Sequence, residues 1–403
     1  MRDRCGAGRG RPDPVLATSA LAARRVRRVA ARQRGEGGRA DRASSKRYVV
    51  SGMRSLAVAA VVLLAGCNMD EPAQAEARRP APPPRFGVNL SGAEAKANDQ
   101  VRPTLEDVRN YVDRLQFQLI RYPFRPERMT PERIAELRGI ADFLRSRRVP
   151  LILDRHRSHW DPVADQVAFW TGLARQFPDD GSVMLDLVNE PRGVQWMQWA
   201  SDAKAVIAGL RRNGIRHPIL LEWPGYSGIT RFDKGERPDQ PCGSAACALE
   251  RTPGRLDPLN RTFLNGHRYF DKDGSGTAPS CRDNKNQPRT DSGFDRFAAQ
   301  LRRRGMRGYI TESAFGRYKA VMPTCMTVGA DAVADLQANS DVLLGVTWWG
   351  GGRMWPDRYI FKIECPKADR FTCPPSLYQR MLNPALADKP GPRPAPDRTK
   401  PRT

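Results

Sequence analysis

Histidine is scarce in this chain, with four among 403 residues, and no Cys-x-x-Cys pair occurs. The ligand sets that build structural zinc sites therefore have no counterpart, and no metal is expected. No glycine-rich phosphate loop follows the first apolar strand, which argues against a doubly wound nucleotide-binding sheet. Acidic residues are few beside basic ones, 44 against 67, and the formal net charge is +23. That surplus is uneven: the first 52 residues hold 14 Lys/Arg against 4 Asp/Glu. Elsewhere the excess is spread thinly, with no long basic helix and no aromatic–basic interleaving. A nucleic-acid partner is therefore not expected. The hydrophobic fraction, 40%, is enough for a sizeable core.

Residues 1–52 read as low-complexity Arg/Ala/Gly sequence without a periodic apolar face, an extension upstream of a true start at Met53. Residues 53–67 read as an export signal: Met53-Arg54-Ser55, then an apolar run over residues 56–64, then Ala65-Gly66-Cys67. The run is too short to span a bilayer comfortably as a helix. Leu64-Ala65-Gly66-Cys67 resembles the bacterial lipobox, which implies lipidation at Cys67, a membrane-anchored lipoprotein and an otherwise secreted protein if the anchor fails. Residues 68–85 are a Pro/Ala/Arg linker, residues 86–386 the folded domain, and residues 387–403 a basic, Pro-rich tail.

Export makes the other cysteines legible as disulfides. Cys242 with Cys247 and Cys365 with Cys373 are close enough for local staples, which leaves Cys281 with Cys325 by elimination. Spacing alone does not fix this connectivity.

From residue 86 the pattern alternates strand and helix. Apolar strands are expected at 86–90, 117–122, 149–154, 183–190, 218–223, 262–269, 308–312 and 342–349. Helices are expected after caps at Thr104, Thr130 and Asp161, and over 195–212, 294–303 and 330–338. Residues 224–259 read as irregular. Eight β/α units in about 300 residues predict a (β/α)8 TIM barrel, in which functional residues gather at the C-terminal ends of the strands.

Two of those strands run into a glutamate, in Leu187-Val188-Asn189-Glu190-Pro191 and Ile310-Thr311-Glu312-Ser313. A carboxylate closing a buried strand is costly unless it has work to do. A pair of them suits glycosidic-bond cleavage, with one carboxyl protonating the leaving oxygen and the other attacking the sugar. Arg121, His156, Asn189, His267, Tyr269 and Trp349 stand at other strand ends. Trp160, Trp196, Trp223 and Trp355 lie in or near loops after strands, so some are candidate sugar platforms.

The segments Gly87-Val88-Asn89-Leu90-Ser91-Gly92, Ile120-Arg121-Tyr122-Pro123-Phe124, Leu153-Asp154-Arg155-His156, Asn189-Glu190-Pro191, Thr311-Glu312-Ser313 and Trp348-Trp349-Gly350 together resemble family 5 glycoside hydrolases of the endo-β-1,4-glucanase type. The run His267-Arg268-Tyr269-Phe270-Asp271-Lys272-Asp273-Gly274-Ser275-Gly276-Thr277 is the most specific of these. The resemblance implies a retaining enzyme with Glu190 as acid/base, Glu312 as an ionised nucleophile, and no cofactor. It also implies a substrate site formed by Arg121, His156, Asn189, His267, Tyr269 and Trp349, and it supports the Cys281–Cys325 pairing. The implied partner is a polysaccharide bound by a monomer. Arg157 replaces the asparagine usual after the histidine, and the turn after the fifth strand also departs from the family. The glycan itself therefore stays open between β-1,4-glucan, mannan, mixed-linkage glucan and exopolysaccharide. The alternative to a hydrolase is a non-catalytic sugar-binding lipoprotein, whose signature would be loss of either glutamate; both are present.

Overall fold

The computed structural model describes residues 81–95, 99–234 and 241–387. The chain divides into two compact units, 1–74 and 75–403, and every described residue belongs to the second. The expected extension, the signal with Cys67, most of the linker and nearly all of the tail lie outside the described residues.

Eight parallel strands close into one barrel in sequence order. They are β1 (Arg85–Leu90), β2 (Leu119–Phe124), β3 (Leu151–Arg155), β4 (Val183–Asp186), β5 (Ile219–Leu221), β6 (Thr262–Tyr269), β7 (Gly308–Ala314) and β8 (Leu343–Gly351). Val88 pairs with Ile120 on one side and with Trp348 on the other, so β1 joins β2 and β8 and no sheet edge is left open. The helices are α1 (Leu105–Arg109), α2 (Pro131–Ser146), α3 (Val163–Ala174), α4 (Trp196–Arg212), α5 (Ala245–Arg251), α6 (Phe294–Arg303), α7 (Met322–Ala338) and α8 (Leu377–Leu382).

Local chemistry explains most of these boundaries. Thr104 and Asp107 form a reciprocal capping box at α1. Thr130 caps α2 and Pro131 occupies its first turn. In α6, Phe294, Phe297, Ala298 and Leu301 are buried while Arg302 and Arg303 face outward at the C-terminal end. Several expectations are corrected. Asp161 does not cap α3; Pro162 holds that position without a side-chain bond, and Asp161 pairs with Arg155 instead. The stretch 224–259 contains α5, capped by Ser244. Helix α7 begins at Met322, well before residue 330, and α8 was not anticipated.

The barrel wall separates two apolar layers. Outward-facing strand residues such as Ile120, Leu185, Ile219 and Ile310 pack under the helices in the main core. Their alternate neighbours Leu119, Ile152, Met184, Leu220, Phe263 and Tyr309 form a second cluster inside the barrel. Gly87 completes this packing at a close approach, because a Cβ there would lie 2.3 Å from the carbonyl oxygen of Leu119. Three disulfides join Cys242 to Cys247, Cys281 to Cys325 and Cys365 to Cys373. The second ties the long loop after β6 to α7.

Candidate active site

Two residues beyond each inner apolar side chain the barrel interior turns polar. Arg121 follows Leu119, Asp154 follows Ile152, Asp186 follows Met184, Glu222 follows Leu220, Asn265 follows Phe263 and Thr311 follows Tyr309. The strand period of two places all of them on the inner face, one pleat nearer the C-terminal mouth. Each is at most 1% exposed. A fully buried polar layer has to satisfy itself.

Arg121 does most of that. Its Nε donates to Asp186 Oδ2 (3.1 Å), and its Nη1 donates to Asn89 Oδ1 (3.0 Å) and Glu312 Oε1 (2.7 Å). Its Nη2 donates to Asn189 Oδ1 (2.9 Å) and Glu222 Oε1 (3.0 Å) and lies 3.1 Å from Asp154 Oδ2. The sequence-based expectation made Arg121 a substrate contact. Instead it is completely buried with its donors engaged, because it is an inner residue of β2 rather than a rim residue.

Glu190 and Glu312 come together above this layer. Glu312 lies within β7 and is 5% exposed, whereas Glu190 lies four residues past β4 and its side chain is 18% exposed. Carboxylate oxygens of the two and a ring nitrogen of His267 all fall within 4.8 Å of one another. Such a spacing could hold a cation, but the Arg121 guanidinium already stands 2.7 Å from Glu312, and a second positive charge there would be repelled.

The backbone of Glu190 is left-handed, with φ 45°, uncommon for a residue with a side chain. Its N–H donates to Glu222 Oε2 at 2.7 Å. The same carboxylate accepts from Ser227 Oγ (2.7 Å) and Asn265 Nδ2 (3.1 Å), while Trp199 Nε1 donates to the carbonyl of Glu222 (2.9 Å). Glu222 is thus a third strand-terminal glutamate that the sequence reading passed over. The signal was present: Leu220-Leu221-Glu222 repeats the apolar-run-to-glutamate pattern used to find the other two.

His267 bridges the acids. Its Nδ1 lies 3.2 Å from Glu190 Oε1 and 3.7 Å from Glu312 Oε2, and its Nε2 lies 3.2 Å from Glu222 Oε1. Burial pulls its pKa down, but Glu222 and Glu312 push it well above the ordinary histidine range, so both ring nitrogens donate. Burial pushes Glu222 up, yet His267 and Arg121 hold it below the usual carboxylate range. Glu312 follows the same pattern: burial raises it, and His267, Arg121 and His156 together hold it low and ionised. Asp186 goes the other way, driven well up by burial and by Glu222, against the opposing charge of Arg121.

The rim completes the site. Burial and the charge of Glu312 push the Tyr269 phenol well above its ordinary range, so its hydroxyl stays protonated and donates to Glu312 Oε2 at 2.9 Å. His156 Nδ1 sits 2.8 Å from Asp154 Oδ2, and its ring stacks on Trp349 with centroids 5.8 Å apart. Trp349 Nε1 donates to the Tyr359 hydroxyl, and Tyr359 in turn stacks on Trp355 at 3.9 Å. Of the other candidate tryptophans, Trp160 and Trp223 are buried, Trp223 against Phe232 and Phe297, so neither is a free platform.

The run from His267 to Thr277 has a structural logic. Asp271 accepts from the backbone N–H groups of Gly276, Thr277 and Ala278, which folds the loop back onto the Tyr269 ring. Beside it a cleft of about 570 Å³ opens, with Glu190, His267, Tyr269 and Tyr226 in its lining. A second cavity of about 470 Å³ lies around Asp257 and Thr262, at the opposite end of β6.

Residues 82–352 match the cellulase (glycosyl hydrolase family 5) model. The chain belongs to glycosyl hydrolase family 5. Among its relatives it is 26% identical over 324 residues to endoglucanase 3 of Humicola insolens, covering 74% of this chain and 77% of that protein. It is 25% identical to endo-beta-1,4-glucanase B of Emericella nidulans, covering 74% and 91%. Among solved structures it resembles XacCel5A in complex with cellopentaose, with a TM-score of 0.61 and 28% identity over 71% of this chain and 95% of that one. As a family 5 member with this barrel, the protein is a glycosidase.

Proposed function

We propose that this protein is a retaining endo-β-1,4-glucanase in which Glu312 is the nucleophile and Glu190 the acid/base. The observation that carries this reading is the separation of the two carboxylates. Retaining enzymes hold their carboxyl groups about 5–5.5 Å apart and inverting enzymes about 6.5–9.5 Å, and carboxylate oxygens within 4.8 Å of each other favour the first class. Relatives named endoglucanase and a neighbour solved with cellopentaose support the choice of glucan.

In the first step Glu312 attacks the anomeric carbon while Glu190 gives its proton to the leaving oxygen. The glycosidic C–O bond breaks and an ester bond to Glu312 forms. In the second step water attacks the same carbon, Glu190 takes the water's proton, and Glu312 leaves as a carboxylate. Arg121, His267 and Tyr269 keep Glu312 ionised and aimed. Arg121 also fixes the amide of Asn189 with its oxygen inward, which leaves the nitrogen to hold the sugar 2-hydroxyl. Trp349, backed by His156, offers its face to the pyranose. These roles are tested by reducing-sugar release from carboxymethyl-cellulose, barley β-glucan and mannan. Glu190→Gln and Glu312→Gln should each lower kcat/KM by about 10³-fold on the preferred glycan, and wild-type rates in either variant would remove the assignment.

We also propose that the enzyme is exported and acts as a lipid-anchored monomer. Three disulfides favour an oxidising compartment, and the Leu64-Ala65-Gly66-Cys67 stretch supplies the lipidation site. Radiolabelled palmitate should enter the wild type and not Cys67→Ser, and a mature protein that begins elsewhere would exclude the anchor.

A further inference from the structure

The cleft beside Glu190 is lined by Arg192, Arg231, Arg268 and Arg289, with Glu190 and Asp273 as its acidic members. A groove for a neutral glucan needs aromatic faces and neutral hydrogen-bonding groups, not four guanidinium groups. Among the described residues, few groups neutralise them. Arg268 is buried and donates to the carbonyls of Ser292 (2.7 Å), Asp291 (2.8 Å) and Tyr269 (3.2 Å). Arg289 donates to the carbonyls of Asp271 and Lys272. Among the described residues Arg231, Arg268 and Arg289 form no ion pair, and Arg231 is exposed.

The nearby carboxylates are shared: Asp271 and Asp291 act on Arg268, and Asp273 feels Arg289, but the hydrogen bonds of these carboxylates go to other groups. Asp271 is used by its own loop, Asp291 pairs with Arg296 at 3.1 Å, and Asp273 accepts from the N–H of Ser275. Arg192 lies over the Tyr226 ring at 4.5 Å and, among the described residues, forms an ion pair with Glu190 at 3.6 Å. Glu190 has to carry a proton when it acts, and in that state Arg192 loses its counter-charge. Burial, and after it the neighbouring Arg289, pull Arg268 down to about 10, against the opposing charges of Asp291 and Asp271.

The cleft's position gives it a role in the reaction. Its lining includes the proton donor Glu190 but neither the nucleophile Glu312 nor the platform Trp349. It therefore continues from the acid/base away from the sugar under attack, which is the side of the leaving group. We propose that the leaving-group side of this site binds a β-glycan carrying anionic substituents, held by Arg192, Arg231 and Arg289, with the buried Arg268 adding its charge behind them. This rests on the assignment of Glu190 and Glu312 given above and specifies the substrate that site takes.

The test compares carboxymethyl-cellulose and cellulose sulfate with neutral hydroxyethyl-cellulose of matched substitution, using the wild type and Arg231→Gln. At low salt the anionic polymers should be cleaved with about five- to tenfold higher kcat/KM than the neutral one. The preference should fade between about 0.01 M and 1 M salt, as the Debye length shrinks from about 30 to about 3 Å. Arg231→Gln should reduce the ratio of anionic to neutral kcat/KM by about two- to threefold. A preference for only one of the two polymers would support the proposal and identify the anion as carboxylate or sulfate. Equal, salt-insensitive cleavage of charged and neutral polymers would overturn it and leave the glucanase assignment standing. No cleavage of any polymer by the wild type would overturn both.

Discussion

Glu222 holds the backbone of Glu190 through one short hydrogen bond to an N–H whose residue has a left-handed φ. Such a conformation costs about 1–3 kcal/mol and persists only where surrounding groups over-determine it. Glu222→Gln keeps the shape but weakens that acceptor and removes the charge facing His267 and Arg121. The expected outcome is a fall in kcat of about 10²-fold, with KM changed by less than about threefold. A variant in which only KM moved would contradict a positioning role.

The same charges fix the pH behaviour. Glu312 is held below the ordinary glutamate range, so the acid limb of kcat/KM should fall below about pH 4.3. His267 has a folded pKa above its unfolded value of about 6.5. Its contribution to stability is complete below that pH and is lost as pH rises through the raised value. Glu222, with a depressed folded pKa, contributes above about pH 4.3 and loses that contribution as pH falls. Tm should therefore decline on both sides of a broad maximum, and His267→Asn should flatten the alkaline decline.

At the scale of elements, the strand ends and the loop after β6 set the geometry. Gly276 stands at φ 74°, and a Cβ there would meet the Tyr269 ring at 2.7 Å. Gly276→Ala should push that ring off Glu312 and lower kcat by about tenfold while moving Tm by only a few degrees. Unchanged turnover would show that the Tyr269 hydroxyl does little. Much of this level was legible in the sequence. The apolar run into Glu312 and the bounds of β6 and α6 follow the sequence pattern, whereas β4 stops at Asp186, four residues short of Glu190 and of the expected end of that strand. Helix α5 was not legible, because Ala-Ala-Cys-Ala carries no polar–apolar rhythm. The first two turns of α7 were hidden by Met322-Pro323 in a stretch that reads as a loop. The polar layer was missed because strand ends were inspected while the strands' inner faces were not. Arg121 and Glu222 become visible once every second residue is followed past Leu119 and Leu220.

At the scale of the whole molecule, barrel closure turns two distant segments into one site. Glu190 belongs to the connection after β4 and Glu312 to β7, and His267 from β6 touches both. The polar layer beneath them couples every strand to Arg121 directly or through one partner, since Asn89 also donates to the carbonyls of Thr311 and Thr347. Treatment with an activated 2-deoxy-2-fluoro-β-cellobioside, followed by mass spectrometry of the digested protein, tests the central claim most directly. The expected result is one covalent sugar on the peptide that contains Glu312. Label on Glu190 or Glu222, or hydrolysis that continues with no label at all, would contradict it.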